Sequence, residues 1–126
     1  MLFRSVTNNI AGSAGMGGII CPTQGAATVI QSSIVWNNAP SSGTQFLGKC
    51  VLQNVVTGTD SFPGAIQLTP TFATSADDYL AANDAANKAC CVDKVANPAS
   101  PNADHDVDLS HRPRGAAWDI GAHEVE

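Results

Sequence analysis

Residues that can do nucleophilic chemistry are concentrated in the last third of the chain. Cys90 and Cys91 are adjacent, Asp93 follows them, and His105 and His111 come next. A cysteine attacks a carbonyl carbon as its thiolate, which a neighbouring histidine generates while an acidic residue orients the imidazole ring. Cys91 as nucleophile, His111 or His105 as base and Asp93 as the orienting carboxylate therefore predict a cysteine-dependent hydrolase of peptide or small ester bonds.

The surroundings of the two adjacent cysteines leave a second interpretation open. No nucleophile motif of a hydrolase family surrounds Cys90-Cys91. Vicinal cysteines are awkward to bridge to each other, and in an extended segment their side chains point to opposite faces. The same residues would also fit structural, half-buried thiols beside solvated surface histidines.

Metal-binding patterns are incomplete in this region. Three alternating aspartates are similar to the opening of a calcium loop: Asp104, Asp106 and Asp108. Leu109 stands where that loop needs its turning glycine, and Gly115 stands where it needs a bidentate glutamate. His105, His111 and a cysteine lack the CxxC or HxxxH spacing of a zinc site. We therefore predict no metal and no other cofactor.

Composition and charge exclude several classes of partner. Only 13% of the 126 residues are charged, the net charge is −5 and the pI is about 4.9. No basic stripe exists to bind phosphates, which excludes a nucleic-acid partner. No apolar run approaches the roughly 20 residues of a membrane span, and the start lacks the apolar stretch of a signal peptide. Four cysteines nevertheless favour an oxidising compartment, so we expect a secreted or cell-surface parent protein.

Short apolar runs in the first half of the chain predict β-strands. They are "GGIIC", "ATVIQ", "SIVW", "CVLQNVV" and "AIQL", each of strand length and bounded by turn-forming residues. Val6-Thr7-Asn8-Asn9 returns as Val35-Trp36-Asn37-Asn38, 29 residues later, and Cys21 returns as Cys50 at the same offset. Such a period is typical of a β-solenoid, in which equivalent residues stack on adjacent coils and Cys21 and Cys50 would lie within disulfide range.

The end of the chain carries the most specific pattern. Its spacing is D-x-x-x-R-P-x-G-x-x-x-D-I-G-A-x-E, formed by Asp108, Arg112-Pro113, Gly115, Asp119-Ile120-Gly121-Ala122 and Glu124. This resembles the closing motif of right-handed parallel β-helix proteins, which are pectate-lyase-like in fold and secreted or surface-displayed. His123, where an aromatic residue is commoner, and Cys90-Cys91-Val92-Asp93-Lys94, which lacks a glycine, depart from the family pattern.

The resemblance implies an all-β fold, a fragment of a right-handed parallel β-helix of about three coils with an irregular C-terminal cap. Residues 1–70 would form the coils and residues 71–126 the closing segment and cap, within one structural domain. An irregular segment with a short strand would cover residues 76–91, although its alanines would also suit a helix. Val92 would point inward, leaving Cys91 and Asp93 on the outer face.

The same resemblance bears on function and assembly. Arg112 would pin the cap through a carboxylate, Asp119 or Glu124, and the rigid Arg112-Pro113 segment makes the adjoining His111 the preferred base. The family's usual role gives the alternative function, a non-catalytic surface or carbohydrate-binding β-helix module whose partner would be a surface polysaccharide. Trp36 and Trp118 could stack on sugar rings, but the position of Trp36 inside a strand repeat favours core or cross-coil packing for it. An uncovered first coil would favour a homo-oligomer.

Overall fold

A computed structural model describes residues 5–9, 18–38, 45–73, 84–96, 106, 109 and 111–125. Within these residues there are six strands and one short helix. The strands are β1 (Ser5–Thr7), β2 (Ile19–Ile20), β3 (Thr28–Trp36), β4 (Phe46–Leu47), β5 (Cys50–Val56) and β6 (Ala65–Ile66), and the helix is α1 (Ala85–Cys90). No described helix has the length and apolar character needed to cross a membrane.

The strands form two separate parallel sheets. One sheet has four strands in the order β1-β3-β5-β6, and the other pairs β2 with β4. Val6 lies opposite Val35, and Ile30 lies opposite Leu52. The long strands are rich in β-branched residues, which pack well on a pleated, half-buried surface.

The predicted all-β right-handed parallel β-helix of about three coils is wrong. The described strands lie in two sheets, of four and two strands, without closing into a solenoid, and a helix follows them. The offset between cross-strand partners also changes along the large sheet. Here cross-strand partners are 29 residues apart for Asn8 and Asn37 but 22 apart for Gln31 and Gln53. The 29-residue repeat therefore sets one strand pairing and does not continue.

The middle of β3 explains how the large sheet is buried on both faces. Ser32 and Asn54 have positive φ values of 46° and 53° and interrupt the β3–β5 ladder. Before the interruption, Ile30 packs in a cluster with Cys21 and Phe46. After it, side chains point to both sides of the sheet and both sides are covered. The far side is covered by residues from the C-terminal third: Cys90, Cys91, Val92, Val95, Ile120 and Val125.

The segment predicted to be an irregular closing strand contains a helix instead. Residues 76–83 lie outside the described residues, but Ala85–Cys90 is helical. Asp84 caps the helix because its carboxylate accepts a hydrogen bond from Asn87 N at 2.8 Å. That bond, followed by a bond from the Thr71 hydroxyl, lowers the pKa of Asp84. The alanines and the acidic cap together outweigh the strand preference that the family resemblance implied.

Candidate functional site

The adjacent cysteines are joined to each other in the structure. Cys90 and Cys91 form a disulfide, although adjacent cysteines are awkward to bridge. Cys91 is fully buried in the core beside Val92, so the predicted placement of Cys91 on the outer face is also wrong. The reason is that the pair lies at the end of α1, where the backbone is not extended. In this oxidised form Cys91 has no thiolate to offer.

The structure does not bring the other predicted catalytic residues together around Cys91. Asp93 is exposed, and its carboxylate accepts a hydrogen bond from Ala117 N at 2.7 Å while its own N–H donates to Asp119 Oδ1. It therefore ties the turn after α1 to the C-terminal segment. His111 is exposed, whereas Cys91 is buried. His105 lies outside the described residues.

The C-terminal motif forms a buried ionic cluster. Arg112 Nη1 lies 3.1 Å from Glu124 Oε1, with both side chains almost fully buried, as the sequence predicts. Arg112 Nη2 also donates to Gly121 O at 3.0 Å. Asp119 accepts hydrogen bonds from Asp93 N and Val125 N at 2.7 and 2.8 Å. These contacts hold the C-terminal segment against the large sheet and give the cluster a structural role.

We expect the stability contributed by the buried carboxyl groups of Asp119 and Glu124 to be lost as the pH rises above their ordinary pKa values. Burial raises the pKa values of Asp119 and Glu124 above their ordinary values of 3.8 and 4.5. A raised carboxyl pKa contributes stability that is complete below the ordinary pKa and lost as the pH rises through the folded-state pKa. The lowered pKa of Asp84 acts oppositely, since its contribution is lost as the pH falls below 3.8.

Urea unfolding between pH 2.5 and pH 7 would measure this profile. Asp84→Asn should reduce the change in the free energy of unfolding with pH at acidic pH. Glu124→Gln should reduce the change above pH 4.5. A free energy of unfolding that rises steadily from pH 4 to pH 7 would contradict the expected profile.

Two cavities meet at Trp36, the last residue of β3. The first has a volume of about 310 Å³ and is lined by Trp36, Asn37, Asn38, Gln45, Thr57, Thr59 and Asp60. The second has a volume of about 490 Å³ and is lined by Asn8, Trp36, Asn37, Thr69, Pro70, Thr71, Phe72 and Ala73. Both lie where β1, β3 and β5 end, because Asn8, Asn37 and Thr57 follow those strands directly.

The indole ring of Trp36 is fixed between two neighbours. Its centroid lies 5.4 Å from that of Phe72, at an interplanar angle of 34°. On another side the backbone of Gly58 approaches the ring, since a Cβ there would lie 2.7 Å from Trp36 Cδ1. Gly58 also has a φ of 70°, which disfavours any side chain. The ring is half-buried and has a defined orientation beside both cavities.

Asparagines stack at the ends of β1 and β3. Asn8 and Asn37 have φ values of 56° and 53°, a left-handed conformation that asparagine tolerates better than most residues. Asn37 Nδ2 donates to Asn8 Oδ1 at 2.7 Å, so the two exposed amides form one step of a ladder. The 29-residue repeat predicted this stacking, and the structure confirms it.

A second layer of amides supports the first cavity from beneath. Asn38 and Gln45 are buried and exchange hydrogen bonds: Asn38 Nδ2 donates to Gln45 Oε1, and Gln45 Nε2 donates to Asn38 O, both at 2.8 Å. The Asp60 carboxylate accepts from Gln45 N and, at 3.0 Å, from Phe62 N. Because these groups are paired with one another, the cavity floor is held in place before any ligand enters.

Helix α1 supports the wall of the second cavity. Asn87 is fully buried, accepts a hydrogen bond from Thr71 N and donates one to Thr71 O, both at 3.0 Å. Thr71 and Phe72 line that cavity. The sequence alone did not indicate Thr57, Thr59, Asp60, Thr69 and Phe72 as site residues, because the repeat does not extend to them. The one feature of the sequence that could have indicated them is the frequency of hydroxyl and aromatic residues just after the predicted strands.

Comparisons with protein-family models, curated proteins and solved structures found no match for this chain. The resemblance of the Arg112–Glu124 motif to β-helix closing motifs therefore stays a prediction from the sequence. Among the described residues, no three histidine, cysteine, aspartate or glutamate side chains come together as a metal site would require. The function has to be argued from the two cavities themselves.

Proposed function

We propose that this protein is a non-catalytic carbohydrate-binding module whose site lies over Trp36 and the Asn8–Asn37 amides. The observation that carries the proposal is the position of one oriented indole ring at the junction of two cavities lined with amides and hydroxyls. The volumes lie at the lower and middle parts of the range for small-molecule sites, about 300–1,000 Å³. The two disulfides support a secreted or cell-surface setting.

The chemistry of the site suits a sugar. A pyranose ring has apolar C–H faces, which pack on an aromatic ring, and a rim of hydroxyls that both donate and accept hydrogen bonds. Trp36 supplies the ring, and the exposed residues Asn37 and Thr59 supply groups that do both. The fixed floor formed by Asn38 and Gln45 reduces the entropy cost of ordering the site on binding.

The predicted cysteine-dependent hydrolase stays a hypothesis with a narrower scope. It requires a free Cys91, and no described cysteine is free. Hydrolysis by Cys91 would therefore be restricted to a form in which the Cys90–Cys91 bond has been reduced and α1 has opened. The geometry gives more support to binding than to this reaction.

We expect Trp36→Ala to abolish glycan binding and Asn37→Ala to weaken it about tenfold, the effect of losing one hydrogen bond of about 1.4 kcal/mol. Trp36→Phe, which keeps an aromatic face, should retain part of the affinity. Saturation-transfer NMR and calorimetry with cellotetraose, chitotetraose and mannotetraose would measure these effects. Gln53→Ala, an exposed change on β5 away from both cavities, is the matched control.

Thermal melts would show that each variant is folded. Unaltered binding by folded Trp36→Ala, or failure of the parent protein to bind any of the three oligosaccharides, would refute the proposed function.

A further inference from the structure

We infer that the ligand is an uncharged glycan of at least two sugar units, which runs across the Trp36–Asn37 junction with one unit in each cavity. The inference rests on the proposed function and deepens it. It names the charge of the ligand, its minimum length and its path over the surface.

The minimum length follows from the arrangement of the cavities. Trp36 and Asn37 line both of them, so the cavities are neighbours that share one edge. Each cavity lies within the size range of a small-ligand site. A single sugar ring can occupy one side of this edge, whereas a second linked ring reaches the other side without a further loss of translational freedom.

The two cavities differ in polarity, which gives the glycan a direction. The first is lined by amides and hydroxyls, including Gln45, Thr57 and Thr59. The second has an apolar wall made by Pro70, Phe72 and Ala73, beside two threonines. The sugar unit with more hydroxyl contacts therefore lies in the first cavity, and the unit that presents a C–H face or a methyl-bearing substituent lies in the second.

The charge of the lining excludes acidic glycans. Among the described residues that line the two cavities, Asp60 is the one charged side chain, and it is acidic. Its oxygens accept hydrogen bonds from two backbone N–H groups, of Gln45 and Phe62. A uronate or sulfate in the first cavity would have no cation to pair with and would be repelled by this carboxylate and by a net charge of −5.

Calorimetry with sugars of two lengths and two charges tests the inference. At least one of three disaccharides, cellobiose, chitobiose or mannobiose, should bind at least tenfold more tightly than its own monosaccharide. Digalacturonate should show no binding. Ala73→Trp fills the second cavity at an exposed position. It should reduce the disaccharide affinity to that of the monosaccharide.

A second variant tests charge. Thr59→Lys places a cation at the first cavity and should allow digalacturonate to bind, whereas Thr59→Gln, of similar length, should not. Equal affinity for mono- and disaccharide, or binding of digalacturonate by the parent protein, would overturn the inference. The proposed function would still stand if sugar binding depended on Trp36. No binding of any sugar would overturn both.

Discussion

Arg112→Ala should lower the free energy of unfolding by about 3–5 kcal/mol, the cost of breaking a buried ion pair from one side. The guanidinium lies 3.1 Å from Glu124 Oε1, and the side chains are 1% and 0% exposed. Removing it leaves the Glu124 and Asp119 carboxylates buried near each other without a neutralising charge. Against the 5–15 kcal/mol of a typical domain, this would remove a large share of the free energy of unfolding.

Arg114→Ala is the matched control, because Arg114 is an exposed arginine two positions along the same segment. Urea unfolding should show a change below 0.5 kcal/mol for this variant, as is usual for surface substitutions. The double variant Arg112→Met, Glu124→Leu should recover part of the lost stability, since it removes the unpaired Glu124 carboxylate but leaves that of Asp119. If Arg112→Ala and Arg114→Ala have equal effects, the buried cluster does not stabilise the fold.

The double variant Cys21→Ala, Cys50→Ala should lose about 3–4 kcal/mol, as expected for opening a loop of this length. The disulfide joins residues 29 apart in sequence and links the end of β2 to the start of β5. Alanine keeps the positions apolar, so the loss of the cross-link dominates the effect. The protein should also become sensitive to concentrations of urea that the parent tolerates.

Single variants separate the cross-link from packing. Cys50→Ala alone opens the disulfide and should show nearly the full loss, and adding Cys21→Ala should change little more. Unfolding followed by tryptophan fluorescence, with and without a thiol reductant, measures both. A loss below 1 kcal/mol in the double variant would mean that the unfolded chain gains little freedom when the bond is removed.

Part of this fold could be predicted from the sequence because identical residues recurred at one offset. That repeat correctly paired Asn8 with Asn37 and Cys21 with Cys50, since parallel strands bring equivalent positions side by side. It failed at β5, where Val56 is followed by Thr57 and Gly58 and not by an asparagine pair. The connection between β3 and β5 is shorter than that between β1 and β3, which changes the offset between paired residues. The length of such a connection depends on how the two strands that it joins are packed.

The candidate site was predictable only at its centre. Trp36 was one of two tryptophans that could stack on a sugar, although its place inside the strand repeat favoured a core role. The residues around it come from segments 57–60 and 69–73. These segments lie close to Trp36 because Gly58 has no side chain and because Asn87 is hydrogen-bonded to Thr71. The Cys90–Cys91 bond was missed because the same two residues behave differently at a helix end and in an extended strand.

The all-parallel pairing of the described strands has a consequence for how the chain folds. Two steps of the large sheet join residues that are far apart, such as Asn8 with Asn37 and Gln31 with Gln53, and the third joins Val55 with Ala65, so no described strand pair is a tight hairpin that could act as a local nucleus. Topologies with distant partners fold slowly, in milliseconds to seconds, because long loops must close first. The Cys21–Cys50 bond joins residues 29 apart and encloses the whole connection between β3 and β5. A chain that refolds with this bond intact therefore has less loop entropy to lose when β5 pairs with β3.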